Sequence, residues 1–401
     1  MPLSDRFRMS PYLMICLIGF FAVSSFSLIS PILSLFAKDY VKATIVEIGI
    51  ITSAFFVASA SVKIPLGILG GGNRTPIIFA SSLLLLVVLP FSYTVVSSPL
   101  GLALVRIIHG IAFALAVTVS LSLAPLTVSG IIRNRAVATY SILAGTGLVF
   151  GSALGTLSIA VGELKSVFYV ASALAMPGFL LGFAFTRRLY SIESRWLLLE
   201  QPVKLNLRRK VSHVVSEKKF LASFFACLAY FFVFGTVLAY APIYATQRLQ
   251  LPYVSVTTIF FGCYLTTTLT RLPLNRLVSK LKSGKEVLIL SAQLLSVILA
   301  LVISLSTHTV FFALAIVFLG IGQGIVYPVG AIMASESAYP SDHVLASSLY
   351  LVAWDLGLAL GPALTSKIAA TSGVLAAIAT SSILPAISAL TMFYLLLTTR
   401  A

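Results

Sequence analysis

The sequence predicts an all-α membrane protein of twelve transmembrane helices, arranged as two six-helix pseudo-symmetric halves. Three observations carry that expectation: apolar runs of bilayer-spanning length, landmarks that repeat about 210 residues apart, and cations gathered in alternate loops. Of 401 residues, 59% are hydrophobic and 9% are charged, and the mean hydropathy is +1.06. A soluble domain carries about 25% charged residues, because its surface must face water. Here most of the surface must face something apolar. A helix needs about 20 residues to cross the hydrocarbon core, and such runs follow one another almost end to end. A membrane barrel would instead show alternation over segments of about 10 residues.

In chain order, the predicted spans 1 to 6 fall at 10–37, 46–70, 76–96, 99–126, 136–161 and 166–186. Spans 7 to 12 fall at 219–245, 253–279, 286–306, 309–334, 343–366 and 373–398. The chain thus divides into an N-terminal half (1–186), a basic linker (187–218) and a C-terminal half (219–401). Arg6 and Arg8 before span 1 resemble the start of a signal peptide. The run Pro11–Ala37 is too long for one, however, and ends in Lys38-Asp39 without a small-residue cleavage pattern, so it reads as a retained first helix. The linker holds Arg187, Arg188, Arg208, Arg209, Lys210, Lys218 and Lys219 around Trp196 and Leu197-Leu198-Leu199. It reads either as a solvated loop that fixes topology or as an amphipathic helix on anionic headgroups, with Trp196 at the interface.

Orientation follows from the cations. With both termini cytoplasmic, 19 of the 27 Lys and Arg fall in inner segments and 5 in outer ones. Lys63, Arg106 and Arg271 lie inside spans. The positive-inside rule then places the chain in the cell membrane as a multi-pass protein with cytoplasmic termini. The net charge of +16 does not point to nucleic acid, since the cations alternate between loops instead of lining one face. Cys16, Cys227 and Cys263 all lie in apolar runs and form neither a disulfide framework nor a metal site. No cofactor or metal is expected.

The halves share landmarks at nearly constant offsets, the signature of duplication. Lys63-Ile64-Pro65-Leu66 in span 2 matches Arg271-Leu272-Pro273-Leu274 in span 8, 208 residues on. His109-Gly110 in span 4 is paired with Gln323-Gly324 in span 10, an offset of 214. Gly147-x-x-x-Gly151 in span 5 matches Gly357-x-x-x-Gly361 in span 11, an offset of 210.

Together these landmarks resemble the major facilitator superfamily over the whole chain. That family is built from two six-helix halves related by an axis along the membrane normal. Its loop after helix 2 reads Gly-x-Leu-Ala-Asp-Arg-x-Gly-Arg. The stretch Gly67 to Arg74 keeps the first Gly and the Leu, but Gly71 stands in place of the Asp, and Ser279 does so in the second copy. The resemblance therefore implies a cytoplasmic gate, at Lys63, Gly67, Arg74, Arg271 and Asn275, that lacks its acidic residue. Arg106-Ile107-Ile108-His109-Gly110 matches the family's Arg-x-x-Gln-Gly with His for Gln. Gly147, Gly151 and Gly155 match the helix 5 motif of the twelve-helix drug/proton antiporter branch, with Ser152 replacing its Pro. These glycines, with Gly357 and Gly361, read as close-packing positions between helices.

An ionisable side chain in the bilayer costs about 2.5–3.5 kcal/mol even on lenient insertion scales, so each one requires a reason. Arg106 lies about 12 Å below the outer end of span 4, given a rise of about 1.5 Å per residue. It reads either as a fixed structural cation or as a cation of the central cavity. His109, one turn on, reads as a proton relay or as a neutral hydrogen-bonding group in place of Gln. Asp355 is the one carboxylate placed well inside a span. Burial and a neighbouring cation pull its proton affinity in opposite directions, the tuning a proton carrier needs, and a structural ion pair is the other reading. Gln323 and Tyr327 in span 10, with Tyr230 and Tyr240 in span 7, resemble substrate contacts by position, although packing alone would also account for them.

The functional expectation is a secondary transporter working by alternating access, coupled to protons or facilitative. It either exports amphipathic compounds or carries an organic anion. The expected partners are a small-molecule substrate, protons and the lipid bilayer, with no nucleic acid, and the chain is expected to act as a monomer. No ATP-binding P-loop is present. A membrane-embedded enzyme would need a nucleophile with its base, a metal cluster or paired carboxylates, whereas His109, His213, His308 and His343 are dispersed. A non-transporting sensor on a carrier fold is the remaining alternative.

Overall fold

Backbone polar groups in hydrocarbon must be satisfied within their own segment, which leaves each apolar run little choice but to be a helix. The computed structural model describes residues 9–69, 75–128, 131–199, 207–278, 284–338 and 343–400, and among them every regular element is helical. Span 1 is two helices, α1 (Pro11–Ile29) and α2 (Leu33–Asp39), parted at Pro31. Spans 2 to 6 are α3 (Ile45–Leu69), α4 (Thr75–Ser92), α5 (Pro99–Leu123), α6 (Ile131–Val161) and α7 (Ser166–Leu199). A short helix, α8 (Leu207–Ser216), precedes α9 (Lys218–Gln247), α10 (Tyr253–Val278), α11 (Lys285–Leu305), α12 (Thr309–Glu336) and α13 (His343–Thr371). Span 12 is also divided, into α14 (Val374–Ser381) and α15 (Ile383–Arg400).

Two expectations change here. The linker 187–218 is helical over most of its described length, because α7 runs on to Leu199 and α8 begins at Leu207. The backbone there is helix and not loop. Further, eleven of the described spans are long and apolar enough to cross a membrane by composition, and α10 is not among them. Its threonines depress the hydropathy, but several of their hydroxyls are turned inward onto carbonyls of α10 or α12, as at Thr266 to Val317 and Thr267 to Cys263. A bonded hydroxyl is far cheaper to bury than a free one.

Local signals set the helix ends. Ser10 and Ser98 each accept from a first-turn N–H, at Leu13 and Gly101, with Pro following at the first helical position. Thr44 and Glu47 form a reciprocal capping box at the start of α3.

The duplication is visible in the backbone. Lys42 and Gln250 adopt left-handed conformations (φ 59° and 54°) and lie 208 residues apart. The bonds around them repeat: Val41 to Phe36 and Ala43 to Ala37 in one half, Leu249 to Tyr244 and Leu251 to Ala245 in the other. Glycines repeat as well. A Cβ at Gly147 would lie 2.7 Å from the Phe20 carbonyl oxygen of α1, and one at Gly357 would lie 2.6 Å from Leu228 of α9. Gly151 meets Ser24 and Gly361 meets Phe232 in the same way, while Gly155 rests on Leu28. Backbones approach this closely only where no side chain intervenes.

The same logic corrects one sequence pairing. Gly110 sits on the Phe55 carbonyl, and its counterpart on the Cys263 carbonyl, 208 residues after Phe55, is Gly320. The true match of Gly110 is therefore Gly320, at the 210-residue offset of the span 5 and span 11 glycines. The sequence pairing with Gly324 is one helical turn too far. Arg106 and His109 consequently correspond to Ile316 and Leu319, and the second half has no polar counterpart of either.

Odd-numbered chain crossings put Pro11, Leu69 and Lys218 on one face of the bundle (the terminal face) and Asp39, Gln247 and Tyr253 on the other. At that opposite face the halves are tied together. Tyr253 donates to Asp39 Oδ2 at 2.7 Å, and Ser53 of α3 donates to Ala359 of α13.

Candidate functional site

A cavity of about 120 Å³ lies between the halves, from mid-bundle toward the terminal face. On this measure about 10–15 Å³ admits one water, so a small organic molecule fits. Phe26, Phe56, Phe113 and Phe234 supply apolar walls, and Lys63, Arg271, Gln323 and Tyr327 are among the polar residues that line it, with Thr118, Tyr140 and Ser141.

The side chains that matter form two matching stripes. On α3, Phe56, Ser59 and Lys63 fall on one helix face at i, i+3 and i+7. On α10, Tyr264, Thr267 and Arg271 repeat that aromatic–hydroxyl–cation order, each 208 residues later. Ser59 donates to Asp355 Oδ2 on α13 at 3.1 Å, and Lys63 Nζ lies 2.7 Å from the same oxygen. Both ions are buried, and Asp355 Oδ1 has no partner. Thr267 donates to Gln323 on α12 at 3.1 Å. Arg271, however, finds no carboxylate among the described residues. Its guanidinium stands 5.0 Å over the Tyr327 ring and its Nε is unbonded. Trp354 carries Lys63 at 4.9 Å and contacts Tyr327, so two adjoining aromatic faces hold the two cations.

The remaining predicted positions separate from this site. Arg106 is buried between helices, over the Phe55 ring at 4.2 Å, with Nε and Nη1 unbonded. Tyr93, just after α4, bonds His109 Nδ1 at 2.9 Å. Neither Arg106 nor His109 lines the cavity; both point into the packed seam of α3, α4 and α5, so the cavity-cation placement of Arg106 does not hold. Asp355 pairs with Lys63 and not with Arg106. Tyr230 bonds the Leu319 carbonyl and Tyr240 the Pro362 carbonyl, so both hydroxyls serve helix packing. Of the gate residues, Lys63 and Arg271 face the cavity, Arg74 lies outside the described residues, and Gly67 and Asn275 lie in helices whose side chains there are likewise not described. Sequence reasoning missed Ser59, Tyr264 and Thr267. The stripe spacing and the 208-residue offset were the available signals.

A family model described as Major Facilitator Superfamily matches residues 15–289 and 255–401. The chain belongs to the major facilitator superfamily. Its helical architecture is that of superfamily transporters of known structure. A point mutant of the nucleoside transporter NupG aligns with a TM-score of 0.76 and 14% identity, over 96% of this chain and 99% of that one. A bacterial homologue of the human lysosomal transporter Spinster, inward-facing and unoccupied, aligns at 0.74 and 13%, over 96% of each chain. The human organic anion transporter MFSD10 aligns at 0.65 and 16%, over 98% of this chain and all of that one. At these identities the likeness concerns the fold. No curated protein sequence matches the chain significantly. As a superfamily member, it is a multi-pass membrane transporter.

Proposed function

We propose that this transporter carries an amphipathic organic anion together with protons, by alternating access in the cell membrane, with the terminal face cytoplasmic. The observation that carries this reading is Arg271, a cation without a counterion among the described residues, in a cavity walled mostly by apolar and aromatic side chains. A guanidinium presents a planar fork that suits a carboxylate or sulfonate, and the phenylalanines suit an apolar body. The excess of cations toward the terminal face supports the orientation. The hydrogen bonds at the opposite face seal that side, so the cavity belongs to a state that opens inward.

Coupling falls to Asp355 and Lys63. While Asp355 is ionised it holds Lys63. A proton on Asp355 dissolves the ion pair, which joins the two halves at α3 and α13, and releases the Lys63 ammonium to the cavity. Protonated Asp355 leaves two cations, Lys63 and Arg271, facing the cavity in place of one, so a bound proton strengthens anion binding and a bound anion favours the proton. Proton and anion therefore travel together, and anion affinity rises as pH falls.

The test is uptake of 1-naphthalenesulfonate, an aromatic monoanion that stays ionised throughout the pH range, into proteoliposomes. Uptake should be saturable and driven by a proton gradient. Arg271→Gln should weaken it roughly 10- to 150-fold, since a hydrogen bond to a charged group contributes about 1.5–3 kcal/mol. Asp355→Asn should remove the response to the gradient. Transport of lipophilic cations but not of anions, or indifference to Arg271→Gln, would sink the reading.

A further inference from the structure

Duplication explains why Arg271 lacks a counterion. The seam of α3 with α13 and the seam of α10 with α6 are equivalent, because α10 repeats α3 after 208 residues and α13 repeats α6 after 210. Asp355 of α13 therefore corresponds to position 145 of α6, and that residue is Gly145. Tyr140 and Tyr350 confirm the register from the same two helices: they are 210 apart, and their hydroxyls donate to Val117 and Val326, near-equivalent carbonyls of α5 and α12. The contact is reproduced too. A Cβ at Gly145 would lie 3.2 Å from Arg271 Nη1, so the guanidinium ends where a carboxylate side chain at 145 would begin. Thr268 Oγ1 reaches the Gly145 carbonyl at 3.4 Å, holding the two helices together at this point.

One seam thus contains a complete ion pair; the other contains the cation, whose Nη1 stands against the bare Gly145 backbone where its equivalent has a carboxylate, and both residues line the cavity. We infer that the part of the cavity beside Gly145 and Arg271 is the subsite for the acidic head of the substrate, which supplies the carboxylate that Asp355 supplies in the equivalent seam. The inference rests on the organic-anion reading above and adds to it a location and a reason. A carboxylate or sulfonate seated there pairs with Arg271 of α10 against the backbone of α6, so substrate binding itself supplies the counterion that the second seam lacks. Tyr327 lies beneath the guanidinium, and Phe113 and Phe234 line the space left for the apolar body. Gly145 matters because any side chain there would press on the guanidinium, its Cβ standing 3.2 Å from Nη1. An acidic one would also neutralise Arg271 from within.

The decisive experiment compares G145D with its uncharged isostere G145N in full-length protein, reconstituted and assayed with 1-naphthalenesulfonate. G145D should weaken uptake at least tenfold more than G145N does. Equal effects of the two variants, or full uptake by G145D, overturn the subsite. A second measurement stands if either variant fails to fold. The thiol introduced by G145C is labelled with an anionic or a cationic methanethiosulfonate, against native cysteines that are all buried. The anionic reagent should react at least fivefold faster, and 1-naphthalenesulfonate should slow the reaction at least fivefold. Labelling that ignores both reagent charge and ligand overturns the proposal. If the wild type carries no aromatic sulfonate, or if Arg271→Gln carries it normally, the anion reading itself fails. If Arg271→Gln stops transport while G145D does not, only the subsite is lost.

Discussion

The two halves of this transporter agree in packing and disagree in charge. Glycines meet carbonyls at matching positions, the α2–α3 and α9–α10 turns share a hydrogen-bonding pattern, and an aromatic–hydroxyl–cation stripe appears on both α3 and α10. Yet Lys63 has Asp355, Arg271 faces Gly145, and Arg106 and His109 have no polar equivalents in the second half. Packing tolerates little change, because backbones in contact leave no room for a side chain. Charge is free to diverge wherever a cavity or an alternative partner can accept it. A duplicated scaffold can thus keep its symmetry while its chemistry becomes one-sided.

The comparison breaks most sharply at the ion pair. Lys63→Met leaves Asp355 buried without its cation and should destabilise the protein by about 3–5 kcal/mol, whereas the double variant Lys63→Met/Asp355→Leu should recover most of that loss. Thermal unfolding in detergent measures both, and a double variant as unstable as the single one would show that the pair is not the source of the cost. Substitution of its counterpart Arg271, which has no ionic partner among the described residues to abandon, should cost far less stability.

Packing symmetry yields the next effect. Gly151→Val and Gly361→Val should each lower stability by about 3 kcal/mol, the upper part of the range for overpacking, since the obstacle is a main-chain carbonyl. The two losses should agree within about 1 kcal/mol. A large difference in unfolding temperature between them would mean that the halves are not packed alike.

The smallest effect is expected at Arg106. Replacing a buried, poorly bonded charge by an apolar chain of similar size is often neutral or stabilising, so Arg106→Met should fold and should change the KM for 1-naphthalenesulfonate by less than about threefold. A tenfold rise would bring Arg106 into the transport site and undo the contrast with Arg271.

Hydropathy and repeat spacing alone mark this chain as a helical membrane protein with repeated halves. Hydrocarbon admits only self-satisfied backbone, and each apolar run announces its own helix. The sequence also marked Lys63, Arg106, Arg271 and Asp355 as residues needing a reason, because charge in a bilayer is expensive wherever it lies. Which partner satisfied which charge belonged to the tertiary structure. Asp355 meets Lys63 from the other half, 292 positions away in the chain, and nothing in periodicity reports which faces of α3 and α13 will touch. The register of α5 against α12 likewise emerged only from the carbonyls on which Gly110 and Gly320 rest. Matching by sequence weighs the polar residues, whereas the fold aligns the places where backbones come closest. That alignment also gave Gly145 a meaning: in the sequence it is one small residue among many, and in the bundle it is the position opposite an arginine that its own seam leaves without a carboxylate.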